Sequence, residues 1–155
     1  MDPDGRHSWA TRILPYLNYA PDNQLDTEKP WSHPDNRKAF GAVIPEFINP
    51  ELGRLDSVRK EGWGLNHYAL NSAVMESNAR WIGGGSNTLM IGETTGNFHP
   101  WGEPGNWRDP LPGINTSPYG FGGPSGKGAY FIMADGSVRF ISKDIDASVL
   151  RQLAE

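Results

Sequence analysis

The chain has no cysteine, no long hydrophobic run and no surplus of basic charge, and each lack removes a class of function. Without Cys there is no disulfide framework, thiolate zinc site or thiol nucleophile, although many bacterial exported domains carry no disulfide and the compartment stays open. Among 155 residues, 14 Lys and Arg stand against 18 Asp and Glu, for a formal charge of −4. That balance provides no basic stripe for a phosphate backbone, so nucleic acid and anionic membrane surfaces are not expected partners. No apolar stretch approaches the roughly 20 residues of a membrane helix, and no membrane span is expected. The opening Met1-Asp2-Pro3-Asp4-Gly5 does not read as a signal peptide.

What is abundant is glycine, proline and aromatic residues. Nineteen Gly and 13 Pro limit helix and require long ordered loops. Six Trp, six Phe and five Tyr supply the opposing term, since each aromatic buries roughly 150 to 250 Å² and offsets the ordering of loop backbone. The length fits a single domain over residues 1–155.

Apolar spacing at Trp9, Ile13, Leu14 and Leu17 predicts a helix over 9–18, capped by Ser8 and limited by Pro15. Residues 20–38 read as loop pinned by Trp31, with a helical turn at 34–39. Residues 42–48 read as an edge strand or extended segment broken by Pro45, and 49–64 as exposed and polar. Strands are expected at 66–74 and 88–91 as a neighbouring pair, separated by a polar stretch and the Gly83–Asn87 glycine run. A long structured loop, 96–128, should cover one face of the sheet. The strongest local signal is a hairpin over 128–141, whose Asp135-Gly136 favours a type I′ turn. Tyr130 and Ile132 then share one face and Phe131 and Met133 the other, with Val138 and Phe140 opposed to Arg139 so that one side meets a core. Ile145, Val149, Leu150 and Leu153 predict a closing amphipathic helix behind Asp144. The expected class is α+β: a small antiparallel sheet with a carboxy-terminal β-hairpin, short helices and long ordered loops.

No catalytic, metal or cofactor residue is assigned. Gly83-Gly84-Gly85-Ser86-Asn87-Thr88 fits an anion-binding nest or, more simply, a turn capped by its own Asn and Thr. Gly126-Lys127 fails the P-loop pattern, and Ser125 fails the nucleophile elbow because Lys127 stands where a second Gly is needed. His7, His33, His67 and His99 form no local metal motif, none is read as standing at i, i+4 spacing from a carboxylate, and surface or capping roles are their default. Glu93 and Glu103 are the residues available for a two-carboxylate hydrolase, a chemistry that needs them about 5 to 10 Å apart. Glu93 closing a network with the Ser86-Asn87-Thr88 turn is the simpler role. Trp101, Trp107, Tyr119 and Phe121 form either a platform for sugar rings or neighbouring subunits, or a set of buried loop anchors; both readings stand. Asp135 is most simply a turn residue.

Several segments, taken in order, carry a resemblance. They are His7-Ser8-Trp9 with Leu14-Pro15-Tyr16-Leu17, Pro30-Trp31 with Asn36, Ser86-Asn87-Thr88 with Glu93, Pro100-Trp101-Gly102-Glu103-Pro104, and Ala134-Asp135-Gly136-Ser137-Val138-Arg139-Phe140-Ile141-Ser142 with Val149-Leu150. Together they resemble the soluble part of a large planctomycete-type family of pseudopilin-like proteins of unknown function, over nearly the whole chain. Members of that family begin with a prepilin leader and hydrophobic helix and end in a motif with His nine residues before Asp-Gly. Here Ser125 holds that His position, Ile48-Asn49-Pro50 holds no Cys where the family often has one, and the hydrophobic helix is not in this sequence.

The resemblance implies a globular head similar to type II secretion pseudopilins. It implies an extracytoplasmic place, at the cell surface or outside the cell, and a non-enzymatic structural role with copies of itself or sibling pilin-like subunits as partners. Glycans are the partners under the alternative, a surface carbohydrate-binding module. Type II pseudopilins bind Ca²⁺ near their carboxy-terminal loops, which makes Asp144 and Asp146 the residues to inspect for an ion; no other cofactor is expected. Trp9, Trp31, Ser86, Asn87, Thr88, Glu93, Asp135 and Gly136 are expected to serve the fold rather than a reaction.

Overall fold

The computed structural model describes residues 6–17, 25–53, 58–76 and 85–155, with the side chains of residues 75 and 76 left aside. Its helices are α1 (Trp9–Ile13), α2 (Arg37–Phe40), α3 (Ser72–Glu76) and α4 (Ala147–Ala154). Its strands are β1 (Arg59–Lys60), β2 (Trp63–Asn66), β3 (Tyr68–Asn71), β4 (Leu89–Glu93), β5 (His99–Pro100), β6 (Trp107–Arg108), β7 (Gly128–Met133) and β8 (Val138–Ser142). The α+β class holds, with two sheets where one was expected. The chain divides into two compact units, residues up to 67 with 98–106, and residues 68–97 with 107–155.

The first unit is an aromatic core wrapped by turns. Ser8 caps α1 as expected, accepting from the Ala10 amide at 3.1 Å. The helix stops at Ile13 and passes into a 3₁₀ turn over Leu14–Tyr16, because Pro15 cannot donate to a continuing α-helix; the expected end at Asn18 lies outside the described residues, as do 20–24. Pro45 likewise begins a 3₁₀ turn, Pro45–Phe47, so of the edge strand or extended segment expected at 42–48 no strand forms, and the flanking Ile44 and Ile48 are extended. Residues 49–64 are not uniformly exposed: Asn49 and Gly64 are buried, and β1 and β2 arise there. Strands β1, β2 and β5 form a small antiparallel sheet.

At the centre of this unit Trp101 is fully buried. Its ring lies 4.4 Å from that of Phe40 and 6.1 Å from that of Phe47, and its indole N–H donates to the Ala42 carbonyl at 2.9 Å. Gly102 is required beside it, since a Cβ there would stand 2.0 Å from the Phe40 ring. Trp31 packs on Trp63 at 4.8 Å, and the Arg37 guanidinium covers the Trp63 ring at 3.9 Å. Buried Asn36 knots the 26–36 loop. Its side-chain oxygen accepts from the Asp26 amide at 2.9 Å, and its amide group donates to the carbonyls of Asp26 and Pro30 at 3.0 and 3.1 Å.

The second unit carries the five-stranded sheet, in the order β6-β3-β4-β7-β8, antiparallel except where β6 runs parallel to β3. The strand expected over 66–74 is interrupted: β2 ends at Asn66, β3 covers 68–71, and α3 follows. Buried Asn71 ends β3 and starts α3, its side chain capping the Ala73 amide at 3.1 Å and donating to the carbonyls of Leu89 and Ala154 at 2.9 and 2.8 Å. One sheet face packs Ala69, Leu89, Phe131, Met133 and Ile141 against Phe121, Ile114 and the Leu150 and Leu153 side chains of α4. Gly92 admits the Phe131 and Phe121 rings, which would lie 2.3 and 2.7 Å from a Cβ at that position.

The β7–β8 hairpin forms as expected, in the register Tyr130↔Phe140 and Ile132↔Val138. Its turn differs from expectation. Only Gly136 is left-handed, at φ 82°, and Asp135 is not, so the turn is not type I′. Gly136 N–H reaches the Met133 carbonyl at 2.9 Å and Met133 N–H the Ser137 carbonyl at 2.8 Å, the pattern of a three-residue loop closed by a left-handed glycine. Asp135 earns its place through its side chain, which accepts from the Ser137 amide at 2.9 Å and hydroxyl at 2.6 Å.

Candidate functional site

The acidic pair considered for hydrolysis falls in different units, Glu93 in the second and Glu103 in the first. Glu93, buried at the end of β4, accepts the Tyr130 amide proton at 2.7 Å. Its carboxylate therefore ties the end of β4 to β7, at the opposite end from the irregularity between Leu89 and Ile91. Burial raises the Tyr68 phenol above its ordinary value, and the Glu93 charge raises it further. Glu103 pairs with His99 at 3.0 Å. These two residues do stand at i, i+4 spacing, against the expectation that no histidine has a carboxylate there, and they lie outside any helix.

His67 and His7 depart from the surface or capping default, and His33 keeps to it. His67 is fully buried, stacked 4.2 Å from Phe98, and its Nδ1 accepts from the Asn49 amide at 3.0 Å. His7 is buried too, 5.7 Å from the Phe40 ring. His33 behaves as a cap, accepting from the Asp35 amide at 3.2 Å.

Of the four candidate contact aromatics, Trp101 and Phe121 are core residues, each with no exposed surface. Large flat side chains in a Gly- and Pro-rich loop are what hold such a loop to its core, and these two do so. Trp107 and Tyr119 remain at the surface, both in the second unit. Trp9 and Trp31 are half-buried, the Trp9 indole donating to the Asn106 carbonyl at 3.1 Å. The Ser86-Asn87-Thr88 turn is held by Arg139, which donates to the Ser86 carbonyl at 3.0 Å and reaches the Asn87 side-chain oxygen at 3.4 Å. The Thr88 carbonyl accepts from Ala134 at 2.9 Å, and Gly83 and Gly84 lie outside the described residues.

No group of three or more His, Asp or Glu suited to a metal occurs among the described residues. Asp146, not Asp144 as expected, caps α4 through the Ser148 amide at 2.7 Å, and Ser125 accepts from the Lys127 amide at 3.3 Å within its turn. No helix is long and apolar enough to cross a membrane among the described residues.

The feature with the most unspent chemistry is the outer face of the hairpin. Tyr130, Ile132, Val138 and Phe140 are 54, 42, 64 and 46 % exposed, although alternation had been expected to send one side of β8 to the core. Only Ile141 of β8 is buried. Cross-strand partners share a face. The pairs Trp107–Leu70, Leu70–Ile91, Ile91–Ile132 and Ile132–Val138 therefore draw one apolar row across all five strands. Beside it the Tyr130 and Phe140 rings meet edge-on at 5.2 Å.

β8 is also the last strand of its sheet. Met133 donates to the Ser137 carbonyl and Lys143 to the Lys127 carbonyl, which turns the odd-numbered backbone groups of the return strand toward β7. The N–H and C=O groups of Val138 and Phe140 and the N–H of Ser142 then point outward, away from the sheet. Along the inner side of this edge runs a groove of about 620 Å³ bounded by Ile141, Ile145, Val149, Gln152 and Leu153. Alternating apolar residues made the strand legible in sequence, but not which side would be left open. Compared with protein-family models, curated proteins and solved structures, the chain finds no match.

Proposed function

We propose that this chain is the head of a non-enzymatic, exported structural subunit, pseudopilin-like, which packs against copies of itself or sibling pilin-like subunits. The assembly would be a pilus-like or other extracellular filament, or part of a secretion machinery, at the cell surface or outside the cell. The observation that carries this reading is the apolar row exposed at Trp107, Ile132 and Val138, with Leu70 buried within it, ending at an open strand edge, a surface that costs solubility unless another chain covers it. The ordered series of family-like motifs supports it, and so does the use of Glu93, Asp135 and Trp101 in holding backbone and core. Electron microscopy of native material, with sedimentation of the purified chain across concentrations, tests the reading. Polymer or reversible self-association is expected, and a monomer at every concentration with no polymer in the source refutes it.

A carbohydrate-binding surface is the second reading, favoured by the exposure of Trp107 and Tyr119. A glycan array with Trp107→Ala and Tyr119→Ala as controls decides it: no glycan signal removes it.

A further inference from the structure

Resting on the structural-subunit reading, we infer that a second copy of this chain docks along β8, adding its own β8 antiparallel across a two-fold axis at Phe140. An edge strand with outward donors and acceptors is a template for another strand. Natural edges are commonly blocked by proline, a bulge or an inward charge; β8 has neither proline nor bulge, and Val138–Ser142 is regular throughout. Its one charged member, Arg139, is drawn away from the edge to the Ser86 carbonyl.

Charge selects the register. Centring the axis on Phe140 sets Val138 opposite Ser142 and Arg139 opposite Ile141 of the second copy, so the outward groups of Phe140, the Val138 carbonyl and the Ser142 N–H find partners. It also brings Lys143 of each copy beside the hairpin tip that carries Asp135 of the other, twice by symmetry. A shift of one residue either way sets Arg139 directly opposite Arg139 or Lys143 of the second copy, and like charges facing each other are unfavourable. In the favoured register the two Phe140 rings are cross-strand neighbours, and Tyr130, Ile132 and Val138 of both copies form one continuous apolar face. The groove bounded by Ile145, Val149 and Leu153 gives room on the opposite face for Ile141 of the second copy.

The test exploits the absence of cysteine. Directly paired Cα atoms lie about 5.5 Å apart, within the roughly 4.4 to 6.8 Å span of a disulfide. Phe140→Cys should therefore cross-link into a covalent dimer under mild oxidation, as should Val138→Cys mixed with Ser142→Cys. Val138→Cys alone should not, because its mate lies four residues along the strand, roughly 13 Å away. Without oxidation, Phe140→Lys should weaken self-association measured by sedimentation at least about tenfold while leaving the melting curve cooperative. Self-association that persists in Phe140→Lys, with no Phe140→Cys dimer, overturns the β8 interface and leaves the subunit reading standing. A wild-type chain that stays monomeric into the millimolar range, with no cross-link, overturns both.

Discussion

Arg108 offers the sharpest test of how the second unit holds its loops. Almost fully buried, it donates to four carbonyls: Pro118 at 2.8 Å, Gly120 at 2.7 Å, Gly96 at 2.8 Å and Asn97 at 2.9 Å. One guanidinium thus ties two loop segments together, and four of its five donors are engaged. Burial lowers its pKa to about 10, which leaves it charged at neutral pH. Hydrogen bonds to a charged group are each worth about 1.5 to 3 kcal/mol, but they are not additive, and the cost of desolvating the cation offsets part of them. Truncation in Arg108→Met should cost about 3 to 5 kcal/mol, a large share of the roughly 5 to 15 kcal/mol that holds a domain together. Arg108→Lys keeps the charge but replaces the planar fork by three donors on one atom, and should cost about 2 kcal/mol. Urea unfolding measures both: the midpoint should fall in the order wild type, Lys, Met with little change in slope. Faster amide exchange at residues 96–97 and 118–120 should accompany the loss. If Arg108→Met lies within about 1 kcal/mol of wild type, the hydrogen-bond argument is wrong.

Three further outcomes follow from named contacts. Gly102→Ala puts a Cβ 2.0 Å from the Phe40 ring and should cost about 1 to 3 kcal/mol by overpacking, read as a lowered melting temperature; an unchanged melt contradicts the packing described. Glu93→Gln should bring the Tyr68 phenol down toward its ordinary value in an ultraviolet titration, leaving the part that burial imposes, whereas an unmoved titration separates the two groups. Hydrogen bonds from the Ser137 and Ser148 side chains hold Asp135 and Asp146 below the ordinary carboxylate value of 3.8, and the Lys29 ammonium does the same for Asp26 and Asp35. Their contribution is complete above 3.8 and is lost as pH falls through the lower folded values, so Asp135→Asn should make the acid limb of stability against pH shallower. An acid limb identical to wild type refutes that assignment.

Local reading of the sequence succeeded where one segment contains both the signal and its answer. Ser8 precedes the residues it caps, the 128–141 arms contain their own turn, and Ile145 to Leu153 contain the stripe that α4 buries. It failed by small steps where two local rules compete. Pro45 weakens a strand and also starts a 3₁₀ turn, and the turn formed. Asp-Gly serves a type I′ turn and also a loop that needs one left-handed residue, and the second was adopted. The candidate site was less legible still. Trp101 and Trp107 sit six residues apart in similar Gly- and Pro-rich surroundings, yet one is wholly buried and the other exposed.

By itself, then, the sequence determined chemistry and local geometry: no thiol chemistry, no surplus of basic charge, a hairpin turning at Asp135-Gly136, and enough aromatic area to order a loop-rich chain. Tertiary structure alone decided which rings are swallowed and which face of β7–β8 is left uncovered. Side-chain alternation has a period of two and fixes which residues go together, while the side that meets a core depends on what packs there. Phe121, Leu150 and Leu153 cover one face of the sheet, so Tyr130, Ile132, Val138 and Phe140 are left on the other.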